Sequence, residues 1–253
     1  MIRRTGPLLA ALALVVVLAS CSSSSDRSSG GGGADGATST TDFAAGQKAT
    51  NLATFARDVE GRNAPSLAVD ADSPAGRWAS FLDEYDNTAA LTVREVKPNW
   101  QVCGVGQVAG GCATLSDFTY DGTNRIQGFS YDGTPIADLV KGPGPLTQMS
   151  SGSIASVAFR EAFLNPKDHR LYVAMSVLWN PEAAPDTTGC DPAKATYSQG
   201  GPAADPKGGG QGDDLFSTWL MTMSFPDASF GGDLKVSCYR QDGASEVFTF
   251  TIA

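Results

Sequence analysis

The sequence predicts a mainly β fold, an antiparallel β-sandwich preceded by two short helices, on three observations. Apolar residues alternate with polar ones over Leu171-Val173-Met175-Val177, Leu234-Val236-Cys238 and Phe248-Phe250-Ile252, the period of strands with one buried face. Asp242-Gly243 stands between the last two of these runs and marks a hairpin, so the final strands should pair antiparallel. Helical spacing of apolar residues occurs only earlier, before about residue 86.

Taken in order, the chain opens with Arg3 and Arg4 and then an apolar run from Leu8 to Ala19, the charge-then-apolar order of a secretory signal. The run is shorter than the ~20 apolar residues that cross a bilayer. It ends in Leu18-Ala19-Ser20-Cys21, which resembles the lipobox of bacterial lipoproteins. The resemblance implies cleavage between Ser20 and Cys21 and transfer of a diacylglyceryl group to the Cys21 thiol, with acylation of the new amine as a further step. A thiolate is the nucleophile this transfer needs, and two or three acyl chains suffice for stable anchoring. The expected location is the extracytoplasmic face of the cell membrane. The Arg3-Arg4 pair lacks the residues that follow it in twin-arginine signals, so ordinary secretion is expected.

The chain from Cys21 onward carries 16 basic and 27 acidic residues, a net charge of −11. Nucleic acid is therefore not an expected partner, because phosphate binding needs a basic face. Four further cysteines, Cys103, Cys112, Cys190 and Cys238, are an even number in an exported chain and read as two disulfides. Three pairings are possible. Cys103 with Cys112 would close a short glycine-rich hairpin and leave Cys190 for Cys238. No C-x-x-C spacing and a single histidine speak against zinc, and neither metal nor cofactor is expected.

Residues 1–20 read as the signal peptide and 21–46 as a Ser/Gly tether, whose roughly 25 residues reach about 25–30 Å as a coil. Residues 47–253 read as one β-rich domain, with a small α+β domain over 47–140 and a sandwich over 153–253 as the alternative. The first helix carries Leu52, Phe55, Ala56 and Val59 and stops at Gly61. The second is capped by Ser73, has Pro74 at its first position, and presents Trp78, Phe81, Leu82 and Tyr85 for packing on a sheet.

Phe118-Thr-Tyr-Asp-Gly-Thr123 recurs as Phe129-Ser-Tyr-Asp-Gly-Thr134. Asp-Gly suits turns with positive φ, so a strand-turn-strand meander accounts for the repeat. Calcium ligation by Asp121 and Asp132, or a sugar platform of Tyr120 and Tyr131, is the functional alternative. Lys141 to Gly152 reads as a linker or long loop, and Asn180 to Asp214 as an irregular stretch whose prolines and glycines keep it out of a sheet. A bridge from Cys190 to Cys238 would pin the second segment to the penultimate strand, either only to stabilise a small sandwich or, as the alternative, to preorganise a displayed contact loop. Exchanging residues 196–212 for a linker should then leave the melting temperature nearly unchanged.

Any Ser-His-Asp or Cys-His arrangement must use His169, the one histidine, which sits in the turn-like Asn165-Pro-Lys-Asp-His-Arg170. No phosphate-binding loop and no nucleophile elbow is present. Asp83-Glu84 and Asp213-Asp214 are the carboxylate pairs a hydrolase could use.

In strand rhythm, with Gly232-Asp-Leu-Lys-Val-Ser-Cys-Tyr-Arg240 near its end, the region from about Ser153 to Ala253 resembles the immunoglobulin-like sandwiches of exported actinobacterial lipoproteins. The two helices and the strands after them loosely resemble cystatin-like and nuclear-transport-factor-like α+β domains. No site residue is implied by either resemblance. The expected function is a lipid-anchored binding module for an envelope protein or ligand, not an enzyme, and the alternative is a carboxylate-dependent envelope hydrolase.

Overall fold

Three antiparallel sheets and three helices make up the described part of a mainly β chain. The computed structural model describes residues 40–63, 66–85, 91–104, 111–144, 146–148, 154–179, 189–213, 216–239 and 243–253. The signal peptide, Cys21 and most of the tether lie outside these residues, as do the interior of the 104–111 hairpin, Asn180 to Thr188, Asp214 and Asp242.

Helix α1 (Thr40–Gly61) begins within the expected tether, so the tether's last seven residues are helical. Ala44, Ala45, Gln47, Lys48 and Ala49 are good helix formers. The apolar stripe on which a helix is recognised, however, starts only at Leu52. Phe55, Ala56 and Val59 are buried as their spacing requires, while Phe43 stays exposed.

Helix α2 (Pro74–Glu84) begins where expected: the Ser73 hydroxyl accepts a hydrogen bond from the Gly76 amide at 3.1 Å, with Pro74 in the first turn. Gly76 is required there, because a Cβ would lie 2.3 Å from the Asp70 carbonyl oxygen. Trp78, Phe81, Leu82 and Tyr85 are all buried. The aromatic stripe is a packing face.

The first sheet is a meander of β1 (Thr92–Val96), β2 (Asn99–Cys103), β3 (Cys112–Tyr120), β4 (Ile126–Tyr131) and β5 (Thr134–Pro135). Cys103 and Cys112 face each other across β2 and β3 and are joined by a disulfide at the mouth of their hairpin. The repeated Asp-Gly units do fall at turns of this meander, but the two turns differ. Asp132 (φ 49°) and Gly133 (φ 83°) both take the left-handed conformation in a two-residue turn between β4 and β5. At the other unit Asn124 (φ 64°) takes that conformation within the longer loop between β3 and β4.

A short helix, α3 (Ile136–Leu139), leads into β6 (Val140–Lys141), β7 (Leu146–Gln148), β8 (Ile154–Asn165) and β9 (Arg170–Trp179). The segment read as a linker from Lys141 is thus partly sheet, since β6 and β7 both pair with β8. The hairpin of β8 and β9 turns at Asn165 to Arg170, as the sequence implied.

The expectation that Asn180 to Asp214 stays out of a sheet is overturned. Its described part supplies β10 (Gly189–Cys190), a 3-10 turn over Pro192–Lys194, β11 (Thr196–Tyr197) and β12 (Ala204–Asp213). Gly208, Gly209 and Gly210 pair with Met221, Leu220 and Trp219 of β13 (Phe216–Phe225). Pro206 lies where the register slips, between Ala204 and Lys207. An edge strand pairs through its backbone on one side only, so it tolerates glycines and a proline at a bulge that a central strand would not.

β12, β13, β9, β8 and β6 run in that order through a six-stranded sheet. β14 (Gly232–Tyr239) pairs with β15 (Ser245–Ile252) in a second sheet, with β10 and β11 also on β14. The hairpin expected at Asp242-Gly243 is present, and Gly243 has φ 80°. Cys190 and Cys238 are register partners and form the second disulfide.

One hydrophobic core joins the facing sides of these two sheets through Val173, Met175, Val177, Met223, Phe225, Val236 and Phe250. The other lies among α1, α2 and the meander, and it also takes in Val140, Phe163 and Tyr172. β9 is therefore buried on both faces, not on one as its alternation implied: Tyr172 and Ala174 are as enclosed as Val173. Helix α2 lies between the two sheet systems, with Trp78 5.1 Å from Phe129 on one side and Phe81 5.5 Å from Phe163 on the other.

Candidate functional site at the end of helix α2

The last turn of α2 carries Asp83, Glu84 and then Tyr85, and all three face unusual surroundings. A helix C-terminus holds partial negative charge, and this one has no basic residue in its last turn. The compensating cation comes from β8. Arg160 bridges to Glu84, its Nη2 2.8 Å and its Nε 3.2 Å from Oε1. Arg160 is the extra residue of a bulge, because Phe159 pairs with Met175 and Glu161 already with Ala174. The bulge turns Arg160 and Glu161 toward α2 together.

Glu161 is 6% exposed, and its Oε2 has no hydrogen-bond partner among the described residues. Burial, then the hydrogen bond to Glu84 and the Glu84 charge, push its carboxyl up to about 8, against the opposing pull of Arg160 and Arg77. Asp83 is raised as well, first by burial and then by the Glu84 charge. Glu84 thus takes the Arg160 guanidinium, and its charge is felt by both Asp83 and Glu161.

Tyr85, one residue on, packs edge-on against Tyr172 at 5.3 Å. The Tyr172 hydroxyl donates to Asp168 Oδ2. Arg170 Nη1 reaches Asp205 Oδ2 at 3.0 Å and Ser224 Oγ at 3.2 Å. Burial, followed by neighbouring negative groups, drives the phenols of Tyr85 and Tyr131 well above their usual range, so both stay neutral. This cluster ties together α2, β9, β12 and β13.

The other sequence candidates fall elsewhere. Asp121 Oδ1 accepts from the Thr123 amide and hydroxyl, each at 2.8 Å, and from the Arg125 amide at 2.9 Å, while Arg125 Nε reaches Oδ2 at 2.7 Å. Burial works to raise its carboxyl, but these bonds, led by that from the Thr123 hydroxyl, outweigh it and hold the group well below the usual carboxylate range. Asp132 accepts from the Thr114 amide at 2.8 Å and pairs with Lys167 at 3.2 Å. Lys167 also donates to the Cys112 carbonyl, so the β8–β9 turn is fastened to the meander. Both aspartates are committed to turn chemistry, and Tyr131, 1% exposed, cannot serve as a sugar platform.

Of the two carboxylate pairs, Asp83-Glu84 belongs to the site. Asp213 lies on β12, far along the chain from it, and Asp214 is outside the described residues. The partner that matters to Glu84 is Glu161, an acid isolated in the apolar run Ala158-Phe-Arg-Glu-Ala-Phe163. A charged pair inside a strand-like apolar run was the signal available. Glu84 itself is held by Arg160 at 2.8 Å, a structural use of its charge.

His169 is exposed in the β8–β9 turn with φ 53°, its amide bonded to the Asn165 carbonyl and its own carbonyl accepting from Ala228. Its role there is in the backbone of the turn. Substituting His169→Gln is expected to change stability by no more than about 0.5 kcal/mol and to leave any cellular phenotype intact; loss of function at normal abundance would assign the imidazole a chemical task.

Elsewhere, α1 and the meander enclose an apolar crevice of about 190 Å³ lined by residues such as Leu52, Phe55, Trp100 and Phe118. It is too thin to admit a water molecule, so it is a packing seam. Among the described residues no group of three or more His, Cys, Asp or Glu side chains is placed to hold a metal ion. Compared with known proteins, the chain matches no family, no curated protein and no solved structure.

Proposed function

We propose that this chain is a lipid-anchored lipoprotein on the extracytoplasmic face of the membrane, and that its globular part is a binding module whose C-terminal region is an immunoglobulin-like sandwich. The observation that carries the reading is Leu18-Ala19-Ser20-Cys21 at the end of a twelve-residue apolar run behind two arginines. The four other cysteines are all joined in disulfides, which supports an oxidising compartment. Two sheets facing each other over one core support the sandwich. Binding is favoured over catalysis because the polar groups at the end of α2 are engaged with one another, a structural use of their charges.

Cys21→Ala tests the anchor. The variant is expected to lose lipid attachment and processing completely, read as an intact mass that retains the signal peptide. Mature, membrane-held protein with residue 21 unmodified would overturn the reading. For the binding role, photocrosslinking in intact cells is expected to give one discrete adduct with an envelope component; a globular part that cleaves an envelope polymer would replace that role with a hydrolase.

A further inference from the structure

We propose that Cys103–Cys112 is a thiol–disulfide exchange site for a partner dithiol, while Cys190–Cys238 is the structural bridge of the same chain. The two bridges differ in exposure, in surroundings and in what else holds their strands together.

Cys190 and Cys238 are 3% and 0% exposed and belong to the core between the C-terminal sheets. A thiolate cannot reach them while that core is closed. β10 is only two residues long, so the bridge is the main hold of this short strand on β14. It also closes a separation of 48 residues, and a long loop returns more entropy to the unfolded chain when it is opened. Opening this bridge costs the fold most.

Cys103 and Cys112 are both half-buried and take part in neither core. Gly104 follows the first and Gly111 precedes the second, so the loop-side neighbour of each cysteine has no side chain to shield the sulfur. The hairpin does not depend on the sulfur bond. On one side Val102, Gln101 and Trp100 continue the pairing with Ala113, Thr114 and Leu115, and on the other the Gly104 amide reaches the Gly111 carbonyl at 3.3 Å. Lys167 Nζ donates to the Cys112 carbonyl and pairs with Asp132 at 3.2 Å, a further hold that involves no sulfur. The separation closed is 9 residues, the shorter of the two loops. A bridge that a thiolate can reach, and whose strands stay paired when it opens, can pass between two redox states in a folded chain.

The exchange balances as follows. A thiolate of the partner dithiol attacks one sulfur of the pair, and the other sulfur leaves as a thiolate. The partner's second thiol then breaks the mixed disulfide. Cys103 and Cys112 end as two thiols and the partner as a disulfide, with two electrons and two protons passed to this chain.

The test treats the full-length chain in detergent with dithiothreitol, a small dithiol, and quenches with iodoacetamide at intervals. Peptide mass mapping counts each cysteine separately, Cys21 included. Label at Cys103 and Cys112 is expected to appear faster than at Cys190 and Cys238 by on the order of tenfold or more. The circular dichroism spectrum should not change over that interval, and excess oxidised dithiothreitol should restore the Cys103–Cys112 bridge. The double variant Cys103→Ser/Cys112→Ser should melt cooperatively and at a higher temperature than Cys190→Ser/Cys238→Ser. Labelling of all four cysteines together, loss of the folded spectrum as Cys103–Cys112 opens, or failure of that bridge to re-form overturns the exchange site. Where the Cys190→Ser/Cys238→Ser variant does not fold, the labelling order and the re-formation in the unsubstituted chain decide.

Discussion

Exchanging residues 196–212 for a Gly-Ser linker is expected to unfold the C-terminal sheets, the opposite of what a displayed loop would do. Tyr197 is 4% exposed, stacks 5.5 Å from Phe225, donates its hydroxyl to the Ser229 carbonyl at 2.8 Å and accepts from the Gly232 amide at 3.1 Å. Removing a buried aromatic of this kind alone costs about 3–5 kcal/mol. The exchange also strips β12 from β13, leaving the backbone of β13 unpaired on one side, and removes Asp205 from Arg170. Against a total stability of about 5–15 kcal/mol, the combined loss should lower the melting temperature by on the order of 10 °C or more, or prevent folding. Calorimetry of the exchanged chain checks this, and an unchanged transition would place residues 196–212 outside the core. A contact role for this segment therefore has to be tested by substitutions that spare its pairing, on exposed positions such as Thr196 and Gln199.

Trp78→Ala is expected to cost about 3–5 kcal/mol, shown as a shift of the denaturant midpoint without a change in slope. Trp78 has no exposed surface and meets Phe55, Phe129 and Tyr131 at 6.2, 5.1 and 6.1 Å. Truncation leaves a cavity at the middle of α2, where the helix is held between β4 and β8 and neither side can collapse far. The indole also carries a buried N–H without a partner among the described residues, a group that costs about 1–3 kcal/mol to desolvate. Trp78→Phe removes that donor and keeps one ring, so it should lose much less than Trp78→Ala. If the two variants are equally destabilised, the N–H has a partner and the cost lies there instead of in the packing.

Several local features were readable in advance because their cause is local. Ser73-Pro74 caps α2 through a hydroxyl and a fixed φ three residues apart. The stripe from Trp78 to Tyr85 repeats at helical spacing, and the alternation in β14 and β15 around Asp242-Gly243 needs nothing beyond its own residues. The short disulfide loop from Cys103 to Cys112 belongs to the same class, because nine residues of separation already bring the cysteines together.

What failed to show in the sequence depends on a neighbour that is distant along the chain. β12 has no side-chain period, since glycines carry none, and becomes a strand only because β13 offers it an edge. The first turns of α1 bury too little to display a stripe. β9 reads as one-faced because Tyr172 and Ala174 look like solvent positions until α2 and the meander cover them. The two Asp-Gly units share six-residue patterns yet make different turns, one set by a two-residue hairpin and the other by the Arg125 side chain reaching back to Asp121. Glu161 is the clearest instance: as sequence it is an acid beside Arg160 in an otherwise apolar run, and only the bulge at Arg160 and the packing of α2 on β8 leave it 6% exposed. Capping and hairpin closure follow from covalent neighbours, whereas the burial of Glu161 and the pairing of β12 follow from tertiary contact, which no residue determines alone.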